Sequence, residues 1–273
     1  MIWLLALQLA AGPAQQALDP TPKVLGPDQH YENAKQDYTQ RKFSDAESEV
    51  NAALHESPDM VPALILKGRL AISARRPDIA RSCLITAITV DPTSEEAQFY
   101  LGLLFFMQND FELAISPLQT ARTLSPKNPL PVFYLAMTQD ALGDETKALD
   151  LFEQAQNLST EKSPQSAEIL VAYGRFLLSL GRTEDSVEKD RRAIEIDSDS
   201  RDAHYELAKG LDHKGDFKNA AREGERALTL QEVDTSDAQI HFLLSNLYRK
   251  LNQPELAKAH LEKFQAASQT TRK

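Results

Sequence analysis

The side chains best suited to chemistry are few and scattered. Cys83 is the one cysteine in 273 residues. A thiol can act as a nucleophile or a metal ligand, but a single one forms neither an internal disulfide nor a multi-thiolate metal site. It lies in Ala80-Arg81-Ser82-Cys83-Leu84, inside a helical pattern, where a lone cysteine packs as a small hydrophobe. His30, His204 and His241 recur at one place in a repeating pattern. No Cys, Asp or Glu at that same place completes a metal set, so these histidines read as helix-packing residues with a polar edge. The chain shows no glycine-rich phosphate loop, no nucleophile-elbow sequence and no paired-histidine metal motif. The expectation is a non-enzyme with no cofactor, no metal and no small-molecule substrate.

Composition narrows the class further. The net charge is -10 and the isoelectric point about 5.2, which disfavours nucleic acid and anionic lipid as partners, because phosphate binding needs a basic surface. Hydrophobic residues make up 42% of the chain, enough for a sizeable core. Good helix formers abound, and the period-two alternation of strands is missing. Residues 2–11 are almost wholly apolar and run into Gly12-Pro13-Ala14. A short apolar core followed by a helix breaker and small residues resembles a secretory signal peptide, although no Lys or Arg precedes it. Cleavage after Ala14 would put Gly12 and Ala14 at the two small-residue places, and the mature chain is expected to begin near Gln15 or Leu18. The run is about half of the ~20 residues that span a bilayer, so no membrane span is expected once it is removed. Residues 1–17 are assigned to this leader and 18–26, with Pro20, Pro22 and Gly26, to a linker. Location outside the cytoplasm, periplasmic or extracellular, is expected; a cytoplasmic protein is the alternative.

The elements that position any site come from an internal repeat. Three ladders of small residues run in step: Ala34, Gly68, Gly102, Ala136, Gly174, Ala208, Ser245; Ala46, Ala80, Ala114, Ala148, Ser186, Ala220, Ala257; and Ala53, Ala87, Ala121, Ala155, Ala193, Ala227, Phe264. Each steps by 34, 34, 34, 38, 34 and 37 residues. Turn signals between the first and second ladders, such as Asn109-Asp110 and Gly143-Asp144, cut each unit into two short helices. The second and third ladder residues lie two helical turns apart and share a face. Neither helix can hide its apolar stripe alone, so neighbours must stack into a continuous core.

Leu101-Gly102, Phe105, Asn109-Asp110-Phe111, Ala114, Ala121 and Pro126 resemble the tetratricopeptide repeat pattern. The residues around Gly68 and Ala208 do so too, and Pro58, Pro92 and Pro126 close units as the family's prolines do. The resemblance covers about residues 27–268. It implies an all-α, right-handed superhelical solenoid of about seven helix-turn-helix repeats: repeats one to four over 27–162, an insertion at 163–166, repeats five to seven over 167–268, and a polar tail at 269–273. Two departures suggest looser packing in units four and five: Glu145 and Thr183 replace the aromatic that begins the second helix, and Asp190 follows in unit five. The steps of 38 and 37 predict longer turns near 163–166 and 235–237, with a bend at the first.

In the family the first helix of each hairpin lines a concave groove. The resemblance therefore places Phe99, Leu103, Phe106, Met107, Phe133 and Met137 on an apolar floor and Lys35, Arg69, Arg175 and Lys209 on basic shoulders. Such a surface suits an extended protein or peptide segment. Tyr31 and Ile65, with Lys35 and Arg69, do not match the family's clamp for a free carboxylate tail. The expected function is a protein-interaction adaptor in the cell envelope. The alternative is a structural scaffold that self-associates through its convex face or its C-terminal end.

Overall fold

A computed structural model describes residues 25–159, 163–231 and 234–270. The leader assigned to residues 1–17 and all but the end of the linker lie outside these described residues. Fourteen helices and no strand occur among them: α1 Pro27–Thr39, α2 Phe43–Glu56, α3 Val61–Ser73, α4 Pro77–Val90, α5 Glu95–Met107, α6 Phe111–Leu124, α7 Pro129–Ala141, α8 Glu145–Leu158, α9 Pro164–Ser179, α10 Thr183–Ile196, α11 Arg201–His213, α12 Phe217–Leu228, α13 Asp237–Lys250 and α14 Pro254–Thr270. They pair into seven hairpins, one for each unit of the sequence pattern.

Local chemistry sets the boundaries. Ser94, Asn128, Asp144, Ser163, Ser200, Asp216 and Ser236 each cap the helix that follows with a side-chain oxygen. Each cap satisfies one of the amides that a helix start leaves unpaired. Inside every hairpin one residue takes a left-handed conformation: Arg41, Arg75, Asn109, Gly143, Gly181, Gly215 and Asn252, with φ between 54° and 79°. This residue ends the first helix and turns the chain back. Asn109, for example, donates its amide to the Phe106 carbonyl while Asp110 donates to Phe105.

The hairpins close on the small-residue ladders, all of which are buried except at Phe264. A Cβ added to Gly102 would stand 2.5 Å from Leu118 Cγ, and one on Gly68 would stand 2.9 Å from Leu84 Cγ. Each of these two glycines thus receives a leucine of the second helix, sixteen residues on. A leucine fully buried this way contributes about 1.5–3 kcal/mol.

Beyond sequence neighbours, the odd-numbered helices touch one another: α1 with α3, α3 with α5, α5 with α7, α9 with α11 and α11 with α13. No pair of even-numbered helices makes comparable contact, so the odd helices form the inner row of the solenoid. Contact between α7 and α9 is sparser than between the other neighbours in this row. The thinning coincides with the 38-residue step. Three of its four extra residues lengthen α9, which has 16 residues where α7 and α11 have 13, and the fourth lengthens the connection before it. The segment 163–166 is therefore not the long turn read from the sequence: Ser163 is the N-cap and the next three residues open the helix. The 37-residue step does lengthen a connection, 229–236, because α12 stops two residues sooner than α10.

Packing in unit four is tight, contrary to expectation. Phe152 supplies the aromatic that Glu145 does not, and it stacks on Tyr173 at 5.3 Å and on Phe176 at 5.1 Å. Unit five does contain a weak point. Asp190 occupies the place of Leu84 and Leu118 and is fully buried against Gly174, with neither carboxyl oxygen hydrogen-bonded. Burial, reinforced by the Glu206 carboxylate, pushes its pKa up to about 8 against the pull of Lys209 and Arg175.

The folded chain therefore holds this proton more tightly than the unfolded chain, whose carboxyl titrates near its ordinary 3.8. Its stability contribution is whole below that value and is lost as pH rises through about 8. Asp190→Leu recreates the glycine–leucine contact of units two and three. It should stabilise the fold by about 1–3 kcal/mol at neutral pH, the cost of an unpaired buried polar group. Urea melts should show a wider gap between variant and wild type at pH 9 than at pH 5. A variant no more stable than wild type at either pH would contradict this packing.

Candidate partner-binding site

A cleft of about 600 Å³ lies at the last turns of α5, α7 and α9. Four of the ten residues expected from the sequence meet there: Phe106, Met107, Met137 and Arg175. Their environments differ. Met107 is 57% exposed at the mouth. Phe106 and Met137 are half-buried against the central core, as is Leu103 beside them. The Phe106 ring also lies 5.7 Å from Phe111 and 5.5 Å from Tyr134. Phe99 and Phe133 do not belong to the floor. They are only 7% and 2% exposed: the Phe99 ring lies 5.7 Å from Tyr134 of α7, and the Phe133 ring lies 6.4 Å from Phe152 of its own hairpin. The same position on the last hairpin is Phe242, which is half exposed.

The expected basic shoulders are all engaged by the chain's own carboxylates. Lys35 lies 2.8 Å from Glu32. Arg69 reaches Glu96 at 3.2 Å, with its guanidinium 4.7 Å and 5.0 Å from the rings of Tyr38 and Tyr100. Lys35 and Arg69 line a separate hollow between the first two hairpins. Arg175 and Lys209 converge on one acceptor, Glu206, at 2.8 Å and 2.7 Å. The Glu206 side chain is just 3% exposed, so these two cations compensate a buried charge.

Sequence reasoning passed over the unpaired charges. Asp140, four residues after Ala136, lines the central cleft and has no side-chain hydrogen bond or ion pair among the described residues. Burial against the apolar wall raises its pKa, and Glu145 adds to the effect. Its visible signal was an acid interrupting the series Tyr38, Ile72, Phe106 at that position. Farther along the inner face, burial raises the pKa of Glu168, with the carboxylates of Asp234 and Asp202 contributing. Burial likewise pushes Tyr134 up to about 12, helped by Glu168 and Asp234. The 229–236 connection therefore brings negative charge towards α7 and α9.

The three histidines prove to be rungs within hairpins. His30 Nδ1 meets Glu49 at 2.6 Å and His204 Nδ1 meets Glu223 at 2.8 Å, each nineteen residues on. In the last hairpin the same spacing pairs His241 with His260, Nδ1 to Nδ1 at 3.0 Å, and His260 Nε2 lies 3.2 Å from Glu225. Burial lowers both of these imidazole pKa values. Among the described residues no group of three or more His, Cys, Asp and Glu is arranged to hold a metal ion. Cys83 is buried, and burial raises its thiol pKa. No described helix is long and apolar enough to cross a membrane.

Comparison with known proteins agrees with this architecture. Tetratricopeptide repeat models match residues 65–129, 133–201 and 238–270. A curated relative, a DnaJ homolog subfamily C member 3 homolog of Dictyostelium discoideum, is 25% identical over 193 residues. That match covers 71% of this chain, which spans about a third of the relative's length, 34%. Among solved structures, the Cut9–Hcn1 hetero-tetramer of APC/C aligns with a TM-score of 0.72 at 17% identity, over 81% of this chain and 43% of that one. Pseudomonas aeruginosa pilF aligns at 0.66 and 15% identity, over 76% and 91% of the two chains. A repeat protein from Parabacteroides merdae aligns at 0.65 and 14%, over 88% and 92%. At such identities the likeness is one of fold.

Proposed function

Because this chain belongs to the tetratricopeptide repeat family, we propose that it is a non-catalytic protein-interaction scaffold that holds an extended segment of a protein partner in its central cleft. The observation that carries this reading is Met107, 57% exposed at the mouth of a cleft whose walls are aromatic. An exposed thioether on an apolar rim is an adaptable contact, and Met and aromatic side chains are enriched at interfaces. The cleft is open along the inner row, which suits an extended chain better than a compact ligand. Phe106 and Met137 supply its floor while also packing against the core, so binding and folding share these side chains.

We also propose that the protein works outside the cytoplasm, in the cell envelope. The support is the apolar run at residues 2–11 and the small residues Gly12 and Ala14 after it.

Met107 separates binding from folding, which Phe106 does not. Met107→Glu should leave stability within about 0.5 kcal/mol, as for a surface site. It should also abolish binding of peptides selected on the wild-type chain, because a charge then stands where an apolar side chain must be desolvated. Undiminished peptide binding by a folded Met107→Glu chain would contradict the cleft as the site. For export, N-terminal sequencing of the protein from its native host should read from near Gln15 or Leu18. An intact Met1 on cytoplasmic protein would contradict that proposal.

A further inference from the structure

We infer that the segment held in this cleft carries a cation, a lysine or arginine beside an apolar residue, and that Asp140 receives it. The inference rests on the cleft being the binding site and names the chemistry of its occupant. Charge accounting within the cleft carries it. Arg175 is the cation on the wall, and its Nε is already committed to the buried Glu206 at 2.8 Å. Recruiting Arg175 for an incoming anion would weaken the compensation of a carboxylate that cannot reach water. Lys209, the other cation on that acceptor, is bound by the same constraint.

Asp140 is in the opposite position. It lines the cleft, keeps its oxygens free of side-chain hydrogen bonds and ion pairs among the described residues, and stands against apolar side chains that remove part of its hydration. The charged group that perturbs it is Glu145, another acid, and not Arg175. A cleft carboxylate with no partner in the fold is free to accept a charge-assisted hydrogen bond from a cation brought by the ligand. One carboxylate cannot hold a metal ion, and no ligating group joins it among the described residues. The surrounding rings of Phe106 and Phe111 favour an ammonium or guanidinium near their faces, while Met107 and Met137 take the adjoining apolar side chain. The long-range field agrees, since a chain of net charge -10 attracts a basic segment and repels an acidic one.

The test is a random peptide library selected on the full chain, followed by synthetic copies of a selected peptide with its basic residue as Lys, Gln or Glu. Selected sequences should pair an apolar residue with Lys or Arg. The Lys form should bind about tenfold tighter than the Gln form, the value of one charge-assisted hydrogen bond. Asp140→Asn should erase that difference while the apolar residue still binds, and Asp140→Lys should turn the preference towards the Glu form. Peptides that lose binding with Met107→Glu yet show no basic preference, or whose preference survives Asp140→Asn, would overturn this inference and leave the cleft as the site. Peptides all indifferent to Met107→Glu would overturn both. Asp140 makes no side-chain bond in the fold, so both variants should melt with wild type and the comparison stays one of binding.

Discussion

Two antiparallel helices approach most closely where one gives up side-chain volume to the other. In this chain the concession is made once per hairpin, at the first-ladder residue. Gly68 and Gly102 accept Leu84 and Leu118 in the space a Cβ would occupy, Gly174 accepts Asp190 in the same way, and the ladder residue is alanine or serine in the other hairpins. Everything larger depends on that approach. It fixes the separation of the two helices, hence the face each hairpin offers its neighbour, hence the alignment of odd helices into an inner row. Where α9 is three residues longer than α7, contact within the row thins, and the central cleft lies against these helices.

The neighbourhood of α9 is also where the fold gives up stability. Asp190 replaces a core leucine, and Glu206 is buried with two cations around it. One of those cations, Arg175, is shared with the cleft wall. A network of buried charge on one side and an unpaired carboxylate on the other leaves the cleft with a definite polarity. Neither the net charge nor the apolar pattern alone would have shown it.

Much of the architecture was legible in the sequence, because small residues at fixed spacing have one physical use in paired helices. The turn residues were equally plain: each of the seven that opened a turn signal, from Arg41 to Asn252, has the left-handed conformation. What the sequence could not separate was the inner face from the contact between hairpins. Phe99 and Phe106 are both aromatic on one helix face, yet one is covered by the next hairpin and the other faces the cleft. That distinction depends on where α7 and α9 lie along α5, which the spacing of apolar residues does not reveal. The ion pairs of the basic shoulders were hidden for another reason. A cation's availability depends on acids up to thirty-one residues away, as Arg175 and Glu206 show. Asp140 was visible as an anomaly in its series, but its lack of a partner is a fact of three dimensions.

The glycine–leucine contact can be tested directly by a double-mutant cycle at Gly102 and Leu118, read from urea melts. Gly102→Ala alone drives a methyl into Leu118, against a helix-propensity gain of about 1 kcal/mol. Leu118→Ala alone leaves a cavity and costs about 2–5 kcal/mol. If the two residues occupy one space, the new methyl fills part of the cavity, and the double variant should be more stable than the sum of the singles by at least about 1 kcal/mol. Additivity within about 0.5 kcal/mol, the behaviour of residues that do not touch, would contradict the packing on which this account rests.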